Sequence, residues 1–179
     1  MSNWIDARTP AELVAGRQDI LSSGVGGTTI DHETILEELG DDADPDMDDG
    51  ALEGLWFDRC IGILAAHFAG GVGIVHRAVG VDDPVGFAAR TWDGEDAGYH
   101  WTRDVDCAST GYHGGPAGAH DVLVTGTTTI ADVCWGTTIQ KLFAHPHERE
   151  IAVRGRVVPT HIVDMRTGLP IKRSLRLAA

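Results

Sequence analysis

The hydrophobic pattern of this chain changes period once, at Gly70-Gly71. Before that point apolar residues recur at three- and four-residue intervals, as on one face of a helix. After it they alternate with polar residues, as on a half-buried strand. A chain that switches in this way folds as helices followed by a mostly antiparallel sheet, an α+β arrangement. The 179 residues suit one domain, with a helical part over 1–70 and a strand-rich part over 71–179. A hydrophobic content of 42% is enough for a real core and too high for a disordered chain.

The helical part reads as three helices. Thr9-Pro10-Ala11-Glu12 is a capping box with proline at the first helical position, and Leu13, Val14, Arg17, Ile20 and Leu21 follow helical spacing. Gly24 to Gly27 reads as a flexible loop. A second helix is predicted over 32–39, capped by Asp31 and stopped by Gly40. The third, over 51–68, is the central one. Its apolar residues form a wide stripe that implies burial on more than one side, with Leu55, Trp56, Ile63 and Leu64 almost inaccessible. Strands are predicted over 72–79, 85–92, 99–107 and 122–133. The segment 139–144 fits either a strand or a helical turn. The clearest hairpin pairs 151–163 with 169–177, turning at Arg166-Thr167-Gly168. In it Leu169, Ile171, Leu175 and Leu177 share a buried face, and Arg154, Arg156, Lys172, Ser174 and Arg176 line a basic one.

Charge is segregated along the chain. Over 31–58 there are twelve acidic side chains and no Lys or Arg. Over 149–176 there are seven basic side chains and two acids, in a molecule of net charge -13. Such a surface is complementary to another copy of itself. The expected contact sets Arg154, Arg156, Lys172 and Arg176 against Asp41, Asp42, Asp44, Asp46, Asp48 and Asp49. A head-to-tail contact of this kind builds rings or tubes. Small α+β subunits serve in that way in the neck and tail rings of tailed-virus particles, so a structural assembly protein is the expected function. Nineteen Asp against eight Glu, and twelve Arg against two Lys, fit a salt-adapted source or a GC-rich one.

Other classes are bounded by absences. No apolar run reaches the ~18–20 residues of a membrane span, and MSNWIDARTP lacks a basic region followed by an apolar stretch, so no membrane and no secretory signal are expected. Three widely spaced cysteines suit a reduced compartment, cytoplasmic or virion. The net charge opposes nucleic acid as a partner. There is no Gly-x-Ser-x-Gly, no P-loop and no Gly-x-Gly-x-x-Gly, and no cofactor is expected. In the acidic loop 41–50, placing Gly50 at the sixth position of a calcium loop puts Pro45, Met47 and Trp56 where carboxylates are required, so the register fails.

His145-Pro146-His147-Glu148, with the Ile-Ala-Val-Arg-Gly-Arg-Val that begins at Ile151, resembles the first motif of the cupin family. The resemblance implies a strand that presents His145 and His147 to a metal; as plain sequence the stretch is a His-containing polar turn before the hairpin, and that reading is taken, with no metal expected. Thr160-His161-Ile162-Val163-Asp164-Met165-Arg166-Thr167-Gly168-Leu169-Pro170 resembles a segment of the flavin transferases that attach FMN to proteins. As plain sequence it is a hairpin turn in which Asp164, Thr167 and Gly168 each have a local job, and that reading is taken. The same stretch is similar to the end of hot-dog thioesterases. That resemblance implies an acyl-thioester hydrolase as the alternative function, with Asp58 or Glu53 on the central helix as the working carboxylate. Asp58 has Trp56, Phe57 and Ile61 close by in sequence, an apolar setting suited to acid–base work; the plainer reading, which is preferred, pairs it with Arg59 or Arg77 or turns it to water.

Overall fold

The computed structural model describes residues 7–110 and 122–173. The chain is α+β. Among the described residues are eight helices and a six-stranded sheet in which every neighbouring pair is antiparallel. Helices α1 (Pro10–Ala15), α2 (Arg17–Ser22), α3 (Gly24–Gly27), α4 (His32–Leu39) and α5 (Asp49–His67) precede β1 (Val72–Val79). Then come α6 (Pro84–Trp92), β2 (His100–Thr102), α7 (Val105–Ser109), β3 (Val122–Thr129), α8 (Trp135–Ala144), β4 (Glu150–Ala152), β5 (Val158–Asp164) and β6 (Leu169–Pro170). The strands lie in the order β4-β2-β1-β3-β5-β6. None of these helices is long and apolar enough to cross a membrane.

The helix starts follow from side chains that satisfy orphan amides. Thr9 accepts from the Glu12 amide at 3.3 Å, Asp31 from Thr34 at 3.1 Å and Asp48 from Ala51 at 3.0 Å. The Glu12 carboxylate reaches back to the Arg8 amide at 2.5 Å, one residue earlier than a capping box requires. The first helix breaks at Gly16 into α1 and α2. The expected loop at Gly24 is the single turn α3, where buried Val25 is held at φ 50°. That conformation is strained for a β-branched residue.

One face of the sheet is the core. Val75, Trp101, Val124, Ile151 and Ile162 pack there with Phe57, Leu64 and Phe68 of the α5 end, Phe87 of α6 and Ile139 of α8. Leu55 and Ile63 are half-buried rather than inaccessible. The stripe of α5 that is fully enclosed runs through Leu52, Trp56, Phe57, Cys60, Ile61 and Leu64, and those two residues flank it. Gly126 sits at a bulge where β3 meets β5. A Cβ there would lie 2.5 Å from Val157 Cγ1 and 2.8 Å from the Val158 carbonyl, so a side chain would push the strands apart.

The strand-rich part contains three helices that the alternation hid. The segment 85–92 is α6, not a strand. Asp83 accepts from the Gly86 amide at 2.9 Å and Pro84 opens the helix, so the pair that reads as a turn is a helix start. The segment 99–107 is β2 followed by α7, because Asp104 accepts from the amides of Asp106 and Cys107. The ambiguous 139–144 lies within α8. The predicted strand 122–133 stops at Thr129 and continues as a 3-10 turn over Ile130–Asp132. The predicted strand 151–163 is two strands, β4 at one edge of the sheet and β5 toward the other, with 153–157 crossing between them. β6 is two residues long; Leu169, expected on a buried face, is exposed, while Ile171 is partly buried against the core, and Leu175 and Leu177 lie outside the described residues.

Candidate functional site

Strand register builds a row of polar side chains on the face of the sheet opposite the core. Glu150 of β4 pairs with Thr102 of β2, Thr102 with His76 of β1, His76 with Thr125 of β3, and Thr125 with His161 of β5. Cross-strand partners project to the same side, so five strands bring these residues into one line. The next row toward the Thr129 end of β3 is Ile74, Thr127 and Val158. Ile74 is 54% exposed and Val158 52%, and Val72, also on this side, is 50% exposed. This face is therefore half open to solvent. It carries apolar and imidazole side chains in a molecule of net charge -13.

Two hydrogen-bonded pairs fix imidazoles in the polar region. His76 Nδ1 lies 2.9 Å from Thr125 Oγ1. His100 Nδ1 is bonded to Glu150 Oε1, and Lys141 Nζ stands 3.9 Å from the other carboxylate oxygen. Glu150 is 2% exposed while the His100 side chain is 42% exposed. The enclosed carboxylate thus fixes the orientation of an imidazole that is itself half open to solvent. Thr102 donates to the Glu148 carbonyl at 2.8 Å, which closes the row at that end. Beside it, Arg149 bridges Asp104 and, at 3.5 Å, Glu38. Burial alone would raise the Asp104 carboxyl. The amides of Cys107 and Asp106 and the Arg149 guanidinium outweigh it and hold that group below its ordinary range.

Burial lowers the pKa of His76, with the Asp104 charge opposing in part; burial likewise lowers that of His67 at the end of α5. Both rings start from an unfolded value of 6.5. A folded value below the unfolded one means that the unfolded chain binds more protons as the solution is acidified. The stability gained by keeping these rings neutral is complete above the unfolded value and is lost as pH falls through the folded one. Unfolding free energy should therefore decline from pH ~7 toward pH ~5, and His76→Asn should flatten that decline. Denaturant unfolding across this range checks it; an unchanged slope in the variant rules out His76 as a source.

The residues singled out in sequence are dispersed. Asp58 is 63% exposed and pairs with Arg17 at 3.0 Å. Trp56 and Phe57 are turned ~200° and ~100° away from it around the helix and, like Ile61, are buried, while the Asp58 carboxylate stands out in solvent. Glu53 holds His32 at 2.9 Å. Neither carboxylate stands in an apolar pocket beside the sheet. His145 is exposed at the end of α8. His147 lies in a 3-10 turn, Pro146–Glu148, so the two rings do not share a strand face. Among the described residues no three His, Cys, Asp or Glu side chains are gathered as a metal ion would need. In the turn after β5, Asp164 accepts from the Arg166 amide at 2.9 Å, Thr167 from the Leu169 amide at 3.3 Å, and Gly168 has φ 70°. Each of these residues is occupied by the turn itself.

Asp41, Asp42, Asp44, Asp46, Asp48 and Asp49 are all exposed, as are Arg154, Arg156 and Lys172; Arg176 lies outside the described residues. Asp42 pairs with Arg59 at 2.6 Å, and Asp48 caps α5. Arg154 and Arg156 lie in the 153–157 crossing rather than on a strand, and the Arg156 guanidinium lies against Gly94. Among the described residues no ion pair joins these basic side chains to the acidic loop. Compared with protein-family models, with curated proteins and with solved structures, the chain matches none.

Proposed function

We propose that this chain is an assembly protein that makes homo-oligomeric, head-to-tail contacts through its two charged regions. The observation that carries this reading is their independence. The acidic loop 41–49 and the basic set Arg154, Arg156 and Lys172 are both exposed and, among the described residues, no ion pair joins one to the other. A heterologous contact between them repeats around a closed ring or along a tube. Such rings are the parts of which the neck and tail of tailed-virus particles are made, and an Asp-rich surface suits a halophilic or GC-rich host. Polyanions are disfavoured partners, because few basic side chains stand against a net charge of -13.

Light scattering should give a mass well above the 19.1 kDa of one chain at about 0.1 M salt, falling toward it at about 2 M as the charges are screened. The triple variant Arg154→Glu, Arg156→Glu, Lys172→Glu should remain a single chain at low salt. A wild type that is monomeric at every salt concentration, or a variant with wild-type mass, discards the head-to-tail contact.

A further inference from the structure

We propose that the half-open face of the sheet is a second interface, on which another copy of this chain packs face to face. This inference is independent of the head-to-tail reading, because it uses different residues. The patch is built from the row Ile74, Thr127 and Val158, with Val72 beside it and the row His76, Thr125 and His161 next to it. Three of these are apolar side chains at least half exposed, and they come from two strands on either side of β3.

Charge selects the occupant. Charged residues are 23% of the chain and acids outnumber bases 27 to 14, yet where these two rows cross β1, β3 and β5 they carry no Asp, Glu, Lys or Arg, and the one carboxylate that extends the second row, Glu150 of β4, is buried. Two copies of a -13 molecule repel wherever acid meets acid. On this face they can touch without that opposition. About a two-fold axis each row meets its own kind, Val, Ile and Thr against Val, Ile and Thr, and no charge is buried without a partner. A strongly acidic or basic partner would find nothing here to pair with. The remaining hydroxyls of Thr125 and Thr127 can bond within the interface or to trapped water.

The area sets the strength. Three strands ~4.8 Å apart, each contributing about five residues at ~3.4 Å, give a footprint of roughly 250 Å² per copy. A stable dimer buries about 800 Å² per partner. The contact is therefore weak by itself, and salt strengthens it, both by screening the net charge and by favouring apolar burial. The head-to-tail contact responds to salt in the opposite sense, so the two are separable.

Sedimentation equilibrium in about 2 M salt, from micromolar to about 1 mM protein, should show the mass rising from one chain toward two. The double variant Ile74→Thr, Val158→Thr keeps β-branching and charge, and it should lose this rise while its thermal transition stays near that of wild type. Should the variant unfold, methyl NMR of the wild type on dilution still decides. Resonances of Val72, Ile74 and Val158 should move with concentration while those of α4 remain fixed. A constant monomer mass to about 1 mM, shifts that map elsewhere, or a folded variant that associates as wild type does would each overturn the proposal.

Discussion

Trp56→Ala should lower the unfolding free energy by about 3–5 kcal/mol, and Leu64→Ala by about 2–5 kcal/mol. Both side chains are buried on α5. The tryptophan has a second role. Its indole N–H donates to the Leu142 carbonyl at 2.9 Å, across 86 residues of sequence. Leu142 is in the last turn of α8, and the residue four further on is Pro146, which has no amide to offer. Trp56 thus satisfies a carbonyl that the helix cannot satisfy for itself, and it ties the central helix to α8. Trp56→Phe should separate the two contributions. It keeps most of the apolar area and strands the carbonyl, at a cost of about 1–3 kcal/mol. Chemical denaturation of the three variants checks the order. A loss below about 1 kcal/mol for Trp56→Ala would place α5 at the periphery rather than in the core.

The N-terminal helices were legible because their signals are local. Asp31 and Asp48 lie next to the amides they cap, and Gly40 ends α4 where it was expected to. The α+β order was legible for the same reason. What misled is also specific. Asp83-Pro84 and Asp104 serve equally well as turn residues and as helix starts, and only the packing decides. Phe87, Ala88 and Thr91 are buried while Val85 is exposed, a helical spacing that a period-two reading of eight residues conceals. The candidate face was not legible at all. His76, His100, Thr125, Glu150 and His161 are scattered over 86 positions, and each taken singly is an ordinary strand residue. What assembles them is register between strands whose order in the sheet, β4-β2-β1-β3-β5, no local pattern encodes. Alternation does indicate that His76 shares a side of β1 with Ile74 and Val72, and that much could have been read in advance. The charged segments were visible as composition, but the strand face expected to carry the basic ones dissolved into a crossing.

The pair His100–Glu150 should respond unequally to removal of its two members. Glu150 is almost wholly enclosed, with His100 and, at 3.9 Å, Lys141 as its ionic contacts. His100→Ala leaves a buried carboxylate facing a methyl group, with only the longer contact to Lys141 retained. Breaking a buried pair in this direction costs about 3–5 kcal/mol, and the remaining lysine puts the expected loss near the lower figure, about 3 kcal/mol. Glu150→Gln leaves half-exposed His100 and Lys141 free to turn to water, so its cost should be about 1–2 kcal/mol, close to that of one lost hydrogen bond to a charged group. In the double variant His100→Ala, Glu150→Gln the enclosed charge is gone. Its loss should be smaller than the sum of the single losses, a coupling that the double-mutant cycle reads directly. Denaturant midpoints at neutral pH supply all four corners. Equal single losses, or strictly additive ones, would mean that Glu150 is held by the surrounding backbone rather than by the imidazole. His100 would then be an ordinary surface residue at the rim of the sheet.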